Sequence, residues 1–387
     1  MQQSQSPKPH HLRAFDGWAL SAAIKLDHCR PGFLSAGLSG TNLSRQVHFA
    51  AFSILDLNQP EALLVRLRMA ADDQVTPANH HPLAQIAQYL LELSPRAVLE
   101  GVFGSCPGGL IGLFARLGDS PISLDPGIYR LAWSLYADPR HEQRRKLLAQ
   151  TEGVVTASRI RVVADLGDLL LRRPVLDRVS HPGEVRSLQE AVRLIQSLVP
   201  EATDERLAQS LDALGPHNRS HVSGVRSLAK WTLRWLARAE RAPVAGPFED
   251  DPDFRLLRAC DLAQVGQRFY NCLSQYVGHV AAGRRVLLEH IREPEAIIEL
   301  YCLHDGAGRT HYTVGQIRRP HNARLLPHDL DLVRARLSRH GVLFAGASTR
   351  PRASISDLLE IYDDDDVVAG FLDELEAEVE GQVTEAA

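Results

Sequence analysis

The chain has 387 residues, 44% of them hydrophobic and 23% charged, the proportions of a globular protein long enough for two domains, each with its own core. It has no run of about 18 uncharged apolar residues, its opening MQQSQSPKPHHLRAF lacks an apolar signal core, and its five cysteines, Cys29, Cys106, Cys260, Cys272 and Cys302, form no C-x-x-C pair. These features argue against a membrane span, export and a zinc or redox cysteine site; free thiols in a reducing cytoplasm are expected, and no metal or cofactor is implied. The formal charge of −4 hides an uneven distribution, because from Ile361 onward there are ten Asp/Glu and no Lys/Arg. The body is therefore mildly basic and its end acidic.

Residues 1–12 read as a disordered tail. QVHFAAFSILDL (46–57) and ALLVRLRMA (62–70) read as short strands of a small N-terminal element. From about Pro82 to Glu240 the pattern is helical. The clearest helix starts at Pro182, where Val185, Leu188, Val192, Ile195 and Val199 recur every three or four residues and Pro200 follows the end. GSCPGG (104–109) suits a turn between helices better than a phosphate loop. A further helix near 224–240 carries Arg226, Lys230, Arg234 and Arg238 at four-residue spacing, with Trp231 and Trp235 beside the row. Phosphates with stacked bases suit such a face, while core packing of the tryptophans and a solvated basic row are the simpler account.

RAPVAGPFEDDPD, with three prolines and no periodicity, marks a linker over 241–252. It would separate a mainly α-helical domain (13–240) from a small module (253–345), followed by an acidic tail (346–387) suited to contact another protein. In the module VLLEHI, AIIELYCLH and THYTVGQIR read as strands, the last two joined by the hairpin signal DGAGR, and HDLDLVRARLSRH as a helix. The expected class is α+β: a helical N-terminal region, then a long helix packed on an antiparallel sheet.

That long helix is read from Asp261, placed to cap it with Gln264 three residues on, to Gly283, placed to close it. Leu262, Val265, Phe269, Leu273, Tyr276 and Val280 form an apolar stripe, and Gln264, Arg268, Asn271, Gln275 and His279 a narrow polar one, for which an ordinary solvated surface is the simpler account and a recognition face the alternative. Cys272, at the border and mid-helix, is too far from the helix start for its dipole to favour a thiolate, and His279 is roughly 10 Å along the axis. Packing is its expected role and thiol chemistry the alternative. Glu299 and Gln316 lie on neighbouring strands and share a face only if the hairpin register allows it. Glu299 then serves either in a cross-strand pair with Arg318 or as a carboxylate for acid–base work or ligand binding.

The residues Gly266, Asn271-Cys272, Tyr276, Gly283, Glu299, Gln316 and Asn322 together resemble the core of the PcfJ-like family, named for a conjugative-plasmid protein. The resemblance covers about 255–340. It departs from the family pattern at Asn271, where many members have His, and in the Arg-Pro-His before Asn322, where a Gly is common; the first departure weakens any histidine-dependent mechanism. The resemblance implies an association with mobile elements and assigns no reaction. The chain lacks G-x-x-x-x-G-K-[ST], G-x-G-x-x-G after a strand, H-E-x-x-H and G-x-S-x-G, and His217 and His221 have no acidic or thiol neighbour to complete a metal site.

Two functions follow as expectations. One is nucleic-acid binding through the Arg226, Lys230, Arg234, Arg238 row and the amide stripe. The other is an enzyme whose catalytic candidates are Cys272, Glu299 and Gln316, with Arg268, Asn271, Gln275, Tyr276, Arg318 and Asn322 as binding candidates. A third possibility is an adaptor that works through the acidic tail.

Overall fold

A computed structural model describes residues 17–72, 80–215, 224–243, 248 and 250–344. The tail at 1–12, His217, His221, the Arg226 side chain and the acidic segment 346–387 lie outside the described residues. The architecture is α+β: helices dominate and one four-stranded antiparallel sheet follows them. Two compact units divide near 176–183: one holds residues up to Leu176 with Ser180–Pro182, the other Asp177–Val179 and everything from Gly183. No described helix is long and apolar enough to cross a membrane.

The first unit is helical throughout its described length. The two segments expected as strands are helices, Asn42–Phe52 and Glu61–Ala71. Thr41 caps the first by accepting from Ser44 N at 3.2 Å, and Pro60 directly precedes the second. Both segments are rich in Ala and Leu and poor in β-branched residues, so propensity favours helix. Gln46 to Phe52 is buried at every position, which erases the 3.6-residue period that would have revealed it. GSCPGG is the expected helix–helix turn, with Gly104 closing Pro95–Phe103 and Gly109 opening Leu110–Phe114, both in the left-handed region.

In the second unit, Pro182–Leu198 buries Val185, Leu188, Val192 and Ile195, as its spacing requires. The helix Gly224–Leu236 packs Trp231 and Trp235 inward, and both indole N–H groups donate to Ser210 Oγ, at 2.9 and 3.1 Å. The division at 176–183 assigns these helices to the sheet-bearing unit, so it does not coincide with the boundary expected at 241–252. Nor is that stretch a bare linker, because Phe248 is fully buried in the core of the sheet.

The sheet consists of β1 (Phe254–Leu257), β2 (Arg285–His290), β3 (Ala296–His304) and β4 (Thr310–Arg318), in sequential order. Both faces are covered. Val286, Leu288, Ile298, Leu300 and Tyr312 pack with Val333 and Leu337 of helix Pro327–Arg339. The opposite face carries Leu287, Ile297, Glu299 and Gln316 and lies under the segment 262–281. Asp305 shapes the hairpin turn by accepting from the backbone N–H groups of Ala307 and Arg309, both at 2.9 Å. These bonds, with those from the Arg309 and His311 side chains, hold its carboxyl below the usual range, at about 2.

Candidate functional site

The segment read as one long helix is three short pieces: the helix Leu262–Phe269, a 3₁₀ turn Leu273–Tyr276 and the helix Val277–Ala281. The break is local chemistry. Tyr270 takes the left-handed conformation at φ 51, and Asn271 N turns back to donate to Gly266 O at 3.0 Å. A side chain at 266 would place its Cβ 3.2 Å from Asn271 O, so only glycine admits this return without the backbone giving way. Asn271 Oδ1 then accepts from Leu273 N at 3.3 Å, an Asx turn that starts the next piece. The expected apolar stripe survives the break: Leu262, Val265, Phe269, Leu273 and Val280 are all buried and Tyr276 is partly so. Gly283, at φ 68, ends the segment as anticipated.

Other expectations for this segment are corrected. Cys272 is exposed at the break instead of packed mid-helix, so helix-based distances to the dipole and to His279 no longer apply. Asp261 makes no side-chain cap to its helix. Its carboxylate instead accepts from Arg258 N at 2.9 Å and pairs with Arg255 and Arg258. The polar stripe does not act as one face. Arg268 pairs with the buried Glu289, and Gln275 is exposed away from the residues that converge below.

Across the sheet, Glu299 and Gln316 are register partners, because a bulge at Gly315 resets the pairing between Glu299 and Leu300. Gln316 Nε2 donates to Glu299 Oε2 at 2.6 Å and to the Tyr276 hydroxyl at 3.3 Å, and its Oε1 accepts from Arg318 Nε at 3.3 Å. The ion partner of Glu299 is Arg285, not Arg318. The Arg285 guanidinium lies between the Tyr276 and Tyr301 rings, 5.1 Å from each centroid. Burial, and then the Glu299 charge, push the Tyr276 phenol up, so it stays protonated at neutral pH.

A cavity of about 350 Å³ opens over this group. It is lined by Asn271, Cys272, Tyr276, Glu299, Gln316 and Asn322, with Arg318 and Arg324 at its polar side and Leu273, Leu287 and Ile297 as apolar wall. Of the candidates named from sequence, Cys272, Glu299, Gln316, Asn271, Tyr276, Arg318 and Asn322 therefore meet; Arg268 and Gln275 do not. Arg285 and Arg324 were missed. Arg285 becomes a partner of Glu299 only through the β2–β3 register, which sets Leu287 opposite Glu299, and Arg324 carries no local signal beyond lying two residues after Asn322. Tyr270 and His321, each the chain neighbour of a lining asparagine, stack with ring centroids 4.5 Å apart. Both hold positive φ, as does Asn322. Strained backbone of this kind gathers at binding and catalytic sites.

On the helix Gly224–Leu236 and just beyond it, Arg234 and Arg238 are exposed, and Arg238 stacks over Trp235 at 5.0 Å. With Trp231 and Trp235 buried, that row has no free aromatic faces for bases. Among the described residues no group of His, Cys, Asp and Glu is arranged to hold a metal ion. No protein-family model, no curated protein and no solved structure matches the chain.

Proposed function

We propose that the sheet-bearing unit is a small-molecule enzyme module and that the cavity around Cys272, Glu299 and Gln316 is its active site. The observation that carries this is convergence. An exposed thiol, a fixed carboxylate–amide pair, a neutral phenol and two arginines line one concave space near the lower end of the usual ligand-pocket range. The residues behind the PcfJ-like resemblance support the same reading. Six of them line the cavity, while Gly266 and Gly283 allow the turns that build it. A family pattern spent on a pocket fits ligand chemistry better than a nucleic-acid surface. The buried tryptophans weigh against base stacking on the helix Gly224–Leu236.

In this reading Cys272 is the nucleophile. Glu299, Gln316 and Tyr276 orient the ligand. The test is the rate of alkylation by iodoacetamide at neutral pH, read by peptide mass spectrometry. Cys272 should react faster in the folded protein than in the urea-unfolded chain. A folded-state rate equal to or below the unfolded one removes the nucleophile.

A further inference from the structure

We infer that the cavity takes a small organic anion with a carboxylate or phosphate head and an apolar body; this deepens the active-site reading and rests on the same cavity. The hydrogen-bond inventory is one-sided. A carboxylate can only accept and a guanidinium can only donate. Gln316 therefore must turn Nε2 toward Glu299 and Oε1 toward Arg318, as it does. Both oxygens of Glu299 are thereby engaged, one by Gln316 and one by Arg285.

The charged capacity left in the site is to donate. The Tyr276 oxygen already accepts from Gln316, and the phenol is held protonated, so its O–H is left to give. Asn271 Oδ1 is used by Leu273 N, and its Nδ2 has no partner among the described residues. Neither Arg318 nor Arg324 has a carboxylate within salt-bridge distance among those residues, although both line the cavity. Two guanidinium groups without a carboxylate partner, together with an amide and a phenol, match a ligand head made of acceptors. Leu273, Leu287 and Ile297 on the wall favour an apolar body behind that head. A cationic head would be opposed by the two guanidinium charges, and a neutral head would gain nothing from them.

Four probes of one length test this on the full chain: butanoate, butyl phosphate, butanol and butylammonium, at millimolar concentration with ionic strength matched by sodium chloride. Binding is followed by thermal shift and by isothermal titration. We expect one or both anions to bind and raise the melting temperature, the two arms telling a carboxylate head from a phosphate head, while butanol and butylammonium do not. Arg318→Gln and the exposed, structurally undemanding Arg324→Gln should each weaken the anion by about tenfold. Butylammonium or butanol binding as well as the anions overturns the inference, as do indifference to both anions and unchanged affinity in the two arginine variants. Failure here is separable from failure of the nucleophile. Anion binding with an unreactive Cys272 retains the ligand class and rejects the thiol, and a reactive Cys272 with no anion binding does the reverse.

Discussion

Arg285 illustrates how much one side chain can hold. Glu299 is buried at 3% exposure, and its charge is tolerated because Arg285 and Gln316 take its two oxygens. Removing the cation strands the carboxylate. Breaking a buried pair costs about 3–5 kcal/mol, and since the Arg285 side chain keeps 24% of its exposure, Arg285→Ala should cost less, about 2 kcal/mol. Glu299→Gln should cost about 1 kcal/mol, because the new amide still accepts from Gln316 and the arginine left behind can reach water. Urea unfolding of the two variants checks the order. A larger loss for Glu299→Gln than for Arg285→Ala would show that the desolvated carboxylate is not what the pair protects. The site is therefore poorly visible in sequence at this level. Arg318, two residues beyond Gln316 on β4, is the arginine that the hairpin suggests, and only the pairing of β2 with β3 selects Arg285.

The break after Phe269 decides what the cavity contains. An unbroken helix would keep Cys272 on its apolar border; the turn at Tyr270–Asn271 lifts it to the surface. Gly266 makes the turn possible, so Gly266→Ala tests the element directly. The added methyl improves helix propensity by about 1 kcal/mol. It also presses on Asn271 O at 3.2 Å, and such overpacking costs about 1–3 kcal/mol. The melting temperature should fall only modestly, while the folded-state acceleration of Cys272 alkylation should be lost as the turn shifts. Unchanged alkylation would mean that the position of Cys272 does not depend on that close approach. Gly266 and Asn271 are both helix-ending residue types, so the break was legible in principle. The uninterrupted apolar spacing from Leu262 to Val280 concealed it, because those side chains point inward from three separate pieces as they would from one.

For the molecule as a whole, the site belongs to a larger unit than the segment that bears it. The helix Gly224–Leu236 is in the same compact unit as the sheet, and Ala239 O accepts from Cys260 N at 3.3 Å. Phe248 inserts into the core formed by Phe254, Tyr312 and helix Pro327–Arg339. A fragment beginning at residue 253 would lose Phe248 and leave the neighbouring apolar surface bare, whereas one spanning 177–344 keeps both. Circular dichroism and size exclusion should show the longer fragment folded and cooperative in urea, and the shorter one aggregated or less stable by several kcal/mol, the order expected for losing a buried phenylalanine along with its cover. Equal stability of the two fragments would reinstate the boundary at 241–252.

Strands β3 and β4 and the helix Pro182–Leu198 follow from sequence alone, since AIIELYCLH and THYTVGQIR coincide with the two strands and the spacing from Val185 to Ile195 with one amphipathic helix. Those features are local: burial periodicity and turn residues act within a few positions of one another. The convergence of Cys272 with Glu299 and Gln316, the choice of Arg285 as ion partner and the cavity itself are non-local. They depend on the bulge at Gly315, the β2–β3 register and the close return of the chain over Gly266, which are settled only when separate elements pack against one another and their combined sterics admit a single arrangement.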